Sequence, residues 1–289
     1  MNLKSPAEGE MKHYETTWKA RDGVELFAQS WEPAAILPKA VVCHVHGLGE
    51  HSSRYEHVAR ALTKQGFILF TYDLRGHGRS GGIRGHISSI EDFMQDIDLL
   101  FERARLRYPD LPLFLYGHSM GGIQVLYYGL SRRPDVKGVI ATSSGLHTAL
   151  EKQTMKVFAV RMLGSLMPKT SLISGLDPKG VSRDEKVVQA YINDPLVHDL
   201  VSFGLGKTML GVVRWTLEHA GDFPLPLLLL HGKEDVIAFP SSSVEFAAPL
   251  KDKCTLVLWD GAYHELHNEP EKEEVFRTMT IWMDARLRE

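Results

Sequence analysis

The chain has 289 residues, 44% of them hydrophobic, enough for one large domain with a substantial core. Its 33 lysines and arginines against 36 aspartates and glutamates leave a formal net charge of -3, so the basic field that nucleic acid requires is missing and no nucleic-acid partner is expected. No apolar run approaches the ~18 residues of a membrane span, and the opening stretch MNLKSPAEGEMKHYETT lacks the apolar centre of a secretory signal, so a cytoplasmic protein is expected.

Two short alternating strands come first, over residues 14–18 and 24–31 around an Asp22-Gly23 turn, and they read as an antiparallel hairpin at a sheet edge. Beyond Pro38 the pattern changes. Residues 40–45 are a continuous apolar run, followed by a glycine-rich loop, a helix over 55–65 and a strand over 67–72, as in a βαβ unit of a parallel sheet. Cys43 and Cys254 both fall inside apolar strand patterns, the usual setting of small buried thiols, so no disulfide is expected. The loop His46-Gly47-Leu48-Gly49 nearly matches a dinucleotide fingerprint. It fails at Ser52, where a glycine would be needed for the helix to pack close on the strand. A further helix starts after Ser89, with Asp92 placed to close a capping box and Phe93, Ile97, Leu100 and Ala104 down one face.

Residues 112–116 are the next buried strand, and a helical pattern over 119–130 leaves it directly. At the junction stand Gly117, His118, Ser119, Met120 and Gly121, a GxSxG turn. Such a turn lifts the serine hydroxyl above the sheet edge and crowds the positions two before and two after it, which is why both are glycine. A serine hydroxyl is a weak nucleophile until a base takes its proton, and the base needs a third group to hold its tautomer. An acid and then a histidine are therefore expected further on, each on a loop after a strand.

A strand over 136–142 follows, after which the alternation breaks for far longer than an ordinary connection. Residues 147–222 are read as an inserted helical cap, cut by Pro168, Pro178 and Pro195, over the carboxyl edge of a core made of residues 1–146 and 223–289. Inside it, FGLGKT (203–208) ends like a phosphate-binding loop but has Val201 where the first glycine belongs, so no nucleotide is expected. Over residues 155–167, Met155, Phe158, Ala159, Met162, Leu163 and Leu166 share a helical face, with Lys156, Arg161 and Ser165 opposite and Val157 and Val160 toward the polar side. Packing of one face on the core is the plain expectation for such a helix. Its surplus apolar surface also suits reversible contact with a lipid bilayer.

The strand and helix order resumes with residues 226–230, a helix near 241–250, a strand over 255–259 and a helix over 270–287. Asp235, in HGKED, follows the first of these strands, and His264, in GAYHELH, follows the last. The rival acids are Asp73, which precedes the serine and heads a tight DLRGHG turn, and Asp222 and Asp260, which lie before or at the end of strands. His267 reads as already helical. His44 with His46, and His264 with His267, form close pairs, but HExxH and cysteine-rich spacings are missing, so neither a metal nor any other cofactor is expected. The expected triad is Ser119, Asp235 and His264, with the amides of Met120 and Leu48 aimed at the oxyanion.

Five stretches, HGLGEHSSRY (46–55), DLRGHGRSGG (73–82), GHSMGG (117–122), YINDPL (191–196) and GAYHELHNEP (261–270), together resemble the monoacylglycerol lipases of the α/β-hydrolase fold. The resemblance covers essentially the whole chain. It implies a mostly parallel eight-stranded sheet flanked by helices, a cap inserted after the sixth strand, and a serine carboxylester hydrolase that releases glycerol and a fatty acid through an acyl-enzyme. It also implies that Glu50, Arg54, His118, Tyr191 and His267 line a polar pocket for the glycerol head of a lipid ester, with the acyl chain under the cap. A lysophospholipase or a broad carboxylesterase would share triad and fold and differ in the pocket. A binding protein on this fold would have no need of the triad, both glycines and the oxyanion loop together.

Overall fold

The computed structural model describes residues 11–289. The expectation about a secretory signal rests largely on residues 1–10, outside that range. The strands are β1 (Lys12–Lys19), β2 (Glu25–Glu32), β3 (Ala40–Val45), β4 (Phe67–Tyr72), β5 (Leu113–His118), β6 (Gly138–Thr142), the short β7 (Ser171–Ile173) and β8 (Leu200–Ser202), β9 (Leu227–Gly232) and β10 (Cys254–Trp259). The α-helices are α1 (Glu56–Lys64), α2 (Ile90–Arg107), α3 (Met120–Arg132), α4 (Thr154–Leu163), α5 (Glu185–Asn193), α6 (Phe203–Glu218), α7 (Ser241–Ala247) and α8 (Lys272–Leu287).

One sheet holds eight strands in the order β1-β2-β4-β3-β5-β6-β9-β10. The pairings of β1 with β2 and of β2 with β4 are antiparallel and the rest are parallel. The central strands are buried throughout and mostly apolar because both faces are covered, as a parallel sheet requires. In β3, Val41, Cys43 and Val45 join a core with Phe93 and Leu100 of α2 and Leu126 of α3. Ala40 and Val42 point the other way, into a core with Val58 and Leu62 of α1 and Val275 and Met279 of α8. Cys43 is buried, Cys254 is half-buried, and both are free.

At the start of α2, the Asp92 carboxylate accepts from the amides of Ser88 (2.8 Å) and Ser89 (3.1 Å), as the sequence pattern anticipates. The strand expected over 136–142 begins only at Gly138, since the Val136 amide closes a turn on the Pro134 carbonyl (3.1 Å). Between β6 and β9 the chain builds α4, α5, α6 and the β7–β8 pair. That antiparallel pair was not expected, because three-residue strands are too short for alternation to register. Leu205 and Val212 of α6 belong to the main core. α4 has no buried residue; it leans on α6 where Gly206 leaves room for Val160. Met155, Phe158, Met162 and Leu166 are 85%, 67%, 57% and 77% exposed, so the apolar face expected to pack inward is turned to solvent. Among the described residues no helix is long and apolar enough to cross a membrane.

Candidate active site

Ser119 occupies the single residue between β5 and α3, with φ 54 and ψ -116, a left-handed conformation that costs a residue with a Cβ roughly 1–3 kcal/mol. The surroundings hold it there. Its amide donates to the Thr142 carbonyl at 3.0 Å, and its carbonyl accepts from the amides of Ile123 (3.1 Å) and Gly145 (3.2 Å). A Cβ at position 117 would run into the Gly121 carbonyl, and one at position 121 into the carbonyls of Val45 and His46. The two glycines of the motif are thus places where backbone touches backbone.

His264 Nε2 lies 2.9 Å from Ser119 Oγ, and its Nδ1 lies 2.7 Å from Asp235 Oδ2. An ionised carboxylate can only accept, so the ring proton sits on Nδ1 and Nε2 is free to accept from the serine hydroxyl. Asp235 follows β9, and its Oδ1 accepts from the amides of Ile237 and Ala238, both at 2.9 Å. Burial opposes ionisation of Asp235, but the neighbouring His264 and the hydrogen bonds from His231 and His264 outweigh it and hold the carboxyl below its usual range. Burial likewise opposes charging of His264. The Asp235 carboxylate prevails, and the His264 pKa is raised from 6.5.

Met120 opens α3, so its amide is one of the first-turn donors with no acceptor inside the helix. The loop after β3 runs beside the serine: a Cβ on Gly47 would come 3.1 Å from Ser119 Cβ, which brings the Leu48 backbone to the same spot. Two preset amides facing a reacting carbonyl are what an oxyanion needs.

Glu50 props up that loop from below. Its Oε1 accepts from the Gly47 amide (2.7 Å) and the Tyr55 hydroxyl (2.8 Å), and its Oε2 from Arg54 (2.7 Å). Burial would raise the Glu50 carboxyl; the Arg54 guanidinium outweighs burial and keeps it ionised. The same guanidinium makes a two-pronged bond to Glu265, each arm 2.7 Å, and lies over the Tyr191 ring at 4.7 Å. His118 bonds Thr142 Oγ1 at 3.0 Å, and burial together with the nearby His264 lowers it to about 4. His267 lies in a 3-10 turn, stacked on Tyr55 at 4.7 Å and edge-on to His118 at 4.8 Å, and among the described residues neither of its ring nitrogens has a hydrogen-bond partner.

Two cavities meet at this point. One, of about 180 Å³, is apolar and runs past Ile123, Val157, Val160, Leu172, Leu205 and Met209. The other, of about 40 Å³, is the more polar of the two: Glu50, His118, Asp177, Tyr191, His264 and Glu265 line it beside Leu176, Pro178, Val181 and Ile237. Ser119 and Leu48 line both. Of the expected polar residues, Glu50, His118 and Tyr191 reach the wall, while Arg54 and His267 stand behind it, bonded or stacked to residues that do. Sequence reasoning missed Glu265, Asp177 and His231. Glu265 had one available signal, its place directly after His264; His231 ends an apolar strand and had none.

Residues 37–271 match the family model described as serine aminopeptidase, S33. A monoacylglycerol lipase of Mycolicibacterium smegmatis is 33% identical over 92% of this chain and 95% of its own length. An uncharacterized abhydrolase domain-containing protein of Dictyostelium discoideum is 39% identical over 92% of this chain, which spans only 28% of that protein. Among solved structures, a monoacylglycerol lipase of Paleococcus ferrophilus is similar with a TM-score of 0.81 and 35% identity, over 96% of this chain and 100% of that one.

Proposed function

The chain belongs to the monoacylglycerol lipase family of serine hydrolases, and from that premise we propose that it cleaves the ester of a monoacylglycerol through an acyl-enzyme on Ser119. Ser119 Oγ attacks the ester carbonyl as His264 Nε2 takes its proton. The amides of Leu48 and Met120 donate to the oxygen that becomes negative, and Asp235 keeps His264 in the right tautomer. His264 then returns the proton to the glycerol oxygen, and a water attacks the acyl-enzyme by the same route in reverse.

The observation that supports this substrate class is the position of Ser119 where an apolar cavity meets a more polar one. An ester of a long acyl chain and a small polyol has the same two halves, joined at the bond to be cut. In this reading His118 and Tyr191 face the glycerol hydroxyls, with Glu50, Arg54 and His267 holding the wall. Residues 147–222 act as the cap over the acyl chain, with α6 as its root. The outward face of α4 and the turn after it is assigned to a bilayer: Met155, Phe158 and Met162 of the helix and Leu166 just beyond it are exposed, and Arg161 and Lys169 in the same stretch are exposed too. Inserting two such side chains is worth roughly 3–6 kcal/mol, which suits reversible docking and falls short of an anchor.

The test is a substrate panel of monoacylglycerols of several chain lengths, di- and triacylglycerols, lysophospholipids and a short soluble ester, run on the native chain and on Ser119→Ala. Monoacylglycerols should be the best substrates, and Ser119→Ala should lose on the order of 10⁵- to 10⁶-fold in rate with the fold intact. Ser119→Ala activity within tenfold of native would remove the serine mechanism, and a preference for lysophospholipid would move the reading to that class.

A further inference from the structure

β9 delivers a fully buried histidine at the point where its apolar run ends, and both ring nitrogens are occupied. His231 Nδ1 lies 2.7 Å from Ser243 Oγ in α7. Its Nε2 lies 3.2 Å from Asp235 Oδ2 and 3.0 Å from the Ala238 carbonyl. These partners decide the tautomer. Nε2 faces two acceptors and must carry the proton, so Nδ1 accepts from the Ser243 hydroxyl. The carboxylate oxygen it reaches is the one that accepts from His264 Nδ1 at 2.7 Å. Two imidazoles therefore share Oδ2 of Asp235, while Oδ1 is held by two backbone amides.

We propose that His231 is a positioning residue of the triad, which fixes the plane of the Asp235 carboxylate and draws part of the Oδ2 charge away from His264. The proposal rests on the reading of Ser119, Asp235 and His264 as the reacting triad. The two amides on Oδ1 restrain the turn of the carboxylate about its Cβ–Cγ bond from one side; a donor on Oδ2 other than His264 restrains it from the other without involving the catalytic ring. The 3.2 Å contact is longer than the 2.7 Å one and is shared with Ala238, so it trims the Asp235–His264 bond without displacing it. Removing the His231 donor should leave more negative charge for the His264 imidazolium, which then keeps its proton to higher pH. The other groups facing His264 are Glu265 from its own turn, Glu50 from the loop after β3 and His118 from β5. A substitution at position 231 alters none of them.

The experiment compares His231→Asn with His231→Gln, because the asparagine amide sits at the level of Nδ1 and the glutamine amide at the level of Nε2. Asparagine keeps the Ser243 contact and loses Asp235; glutamine can still donate to Asp235. With a short soluble ester, His231→Asn should move the acidic limb of kcat/KM upward by roughly half a pH unit and lower kcat about tenfold with little change in KM. His231→Gln should keep the limb in place. A limb unmoved in His231→Asn overturns the proposal, and equal losses in both variants with a lowered Tm would show that His231 only packs. If His231→Asn does not fold, Ser243→Ala, which releases Nδ1 and loosens the ring, must move the limb in the same direction by less, and an unmoved limb there overturns the proposal too. A native chain without esterase activity would sink the function reading instead. In that case the downfield proton resonance of His264 Nδ1–H decides: it shifts when the Asp235 contact is removed, or the proposal fails.

Discussion

His118 and His264 have ring centres 4.9 Å apart and move in opposite directions as bases. His118 has burial and the nearby His264 against its charging and falls to about 4, whereas His264 has Asp235 beside it and is raised from 6.5. Only neutral His264 can take the Ser119 proton. The kcat/KM of a soluble ester should therefore fall as pH drops through a value above 6.5, with His118 neutral throughout. A limb centred below 6, measured where chemistry limits the rate, would contradict this. Stability follows a different window. The raised His264 stabilises the fold fully below its unfolded pKa, and that contribution is lost as pH rises through the folded one. The depressed Asp235 contributes above its unfolded value, and that contribution is lost as pH falls through the folded one. The triad thus favours folding most on the acid side of the range in which it turns over.

At the level of elements, the turn between β5 and α3 depends on a backbone approach that no side chain tolerates. Gly121→Ala would press a methyl group against the carbonyls of Val45 and His46, atoms that cannot rotate away. We expect Tm to fall by at least the equivalent of about 2–3 kcal/mol, with activity lost together with the fold. An active, equally stable Gly121→Ala protein in a thermal melt would show that the turn can relax. The exposed face of α4 predicts the opposite pattern. Phe158→Asp with Leu166→Asp should leave Tm unchanged, because neither side chain is buried. It should weaken sedimentation with liposomes and slow long-chain monoacylglycerol hydrolysis about tenfold, while the short ester is cleaved as before. Equal loss on both substrates would remove the bilayer from the reading.

Across the whole molecule, order is unevenly distributed in the stretch between β6 and β9. Leu205, Val212 and Thr216 of α6 are buried, and α4 has no buried residue. Amide hydrogen exchange should therefore be faster in residues 154–163 than in 203–218 by on the order of a hundredfold or more; equal protection would mean that α4 is held as firmly as α6. The same unevenness explains what could be read in advance. The grouping of Ser119, Asp235 and His264 was legible because each follows an apolar strand, and the structure brings the three side chains within hydrogen-bond distance; chain order suggested the roles proposed for them. The sheet was legible because strands covered on both faces read as unbroken apolar runs. The facing of α4 was not, since periodicity locates an apolar stripe without saying where solvent lies. The contact of His231 with Asp235 was hidden because the ring stands at the end of a strand run, and β7 and β8 were too short to alternate.

The meeting of two unlike cavities at Ser119 also sets an order of events in time. In the proposed reaction, after the first half-reaction the acyl chain is still covalently held in the apolar cavity, while the alcohol in the more polar one is bound by hydrogen bonds alone and departs first. The space it vacates lies next to His264 Nε2, which is where the second nucleophile must arrive. Water and the departing alcohol thus compete for one compartment. Glycerol lingering there is a rival to water for the acyl-enzyme and would re-form the ester, so net hydrolysis in this reading depends on how quickly that small chamber drains.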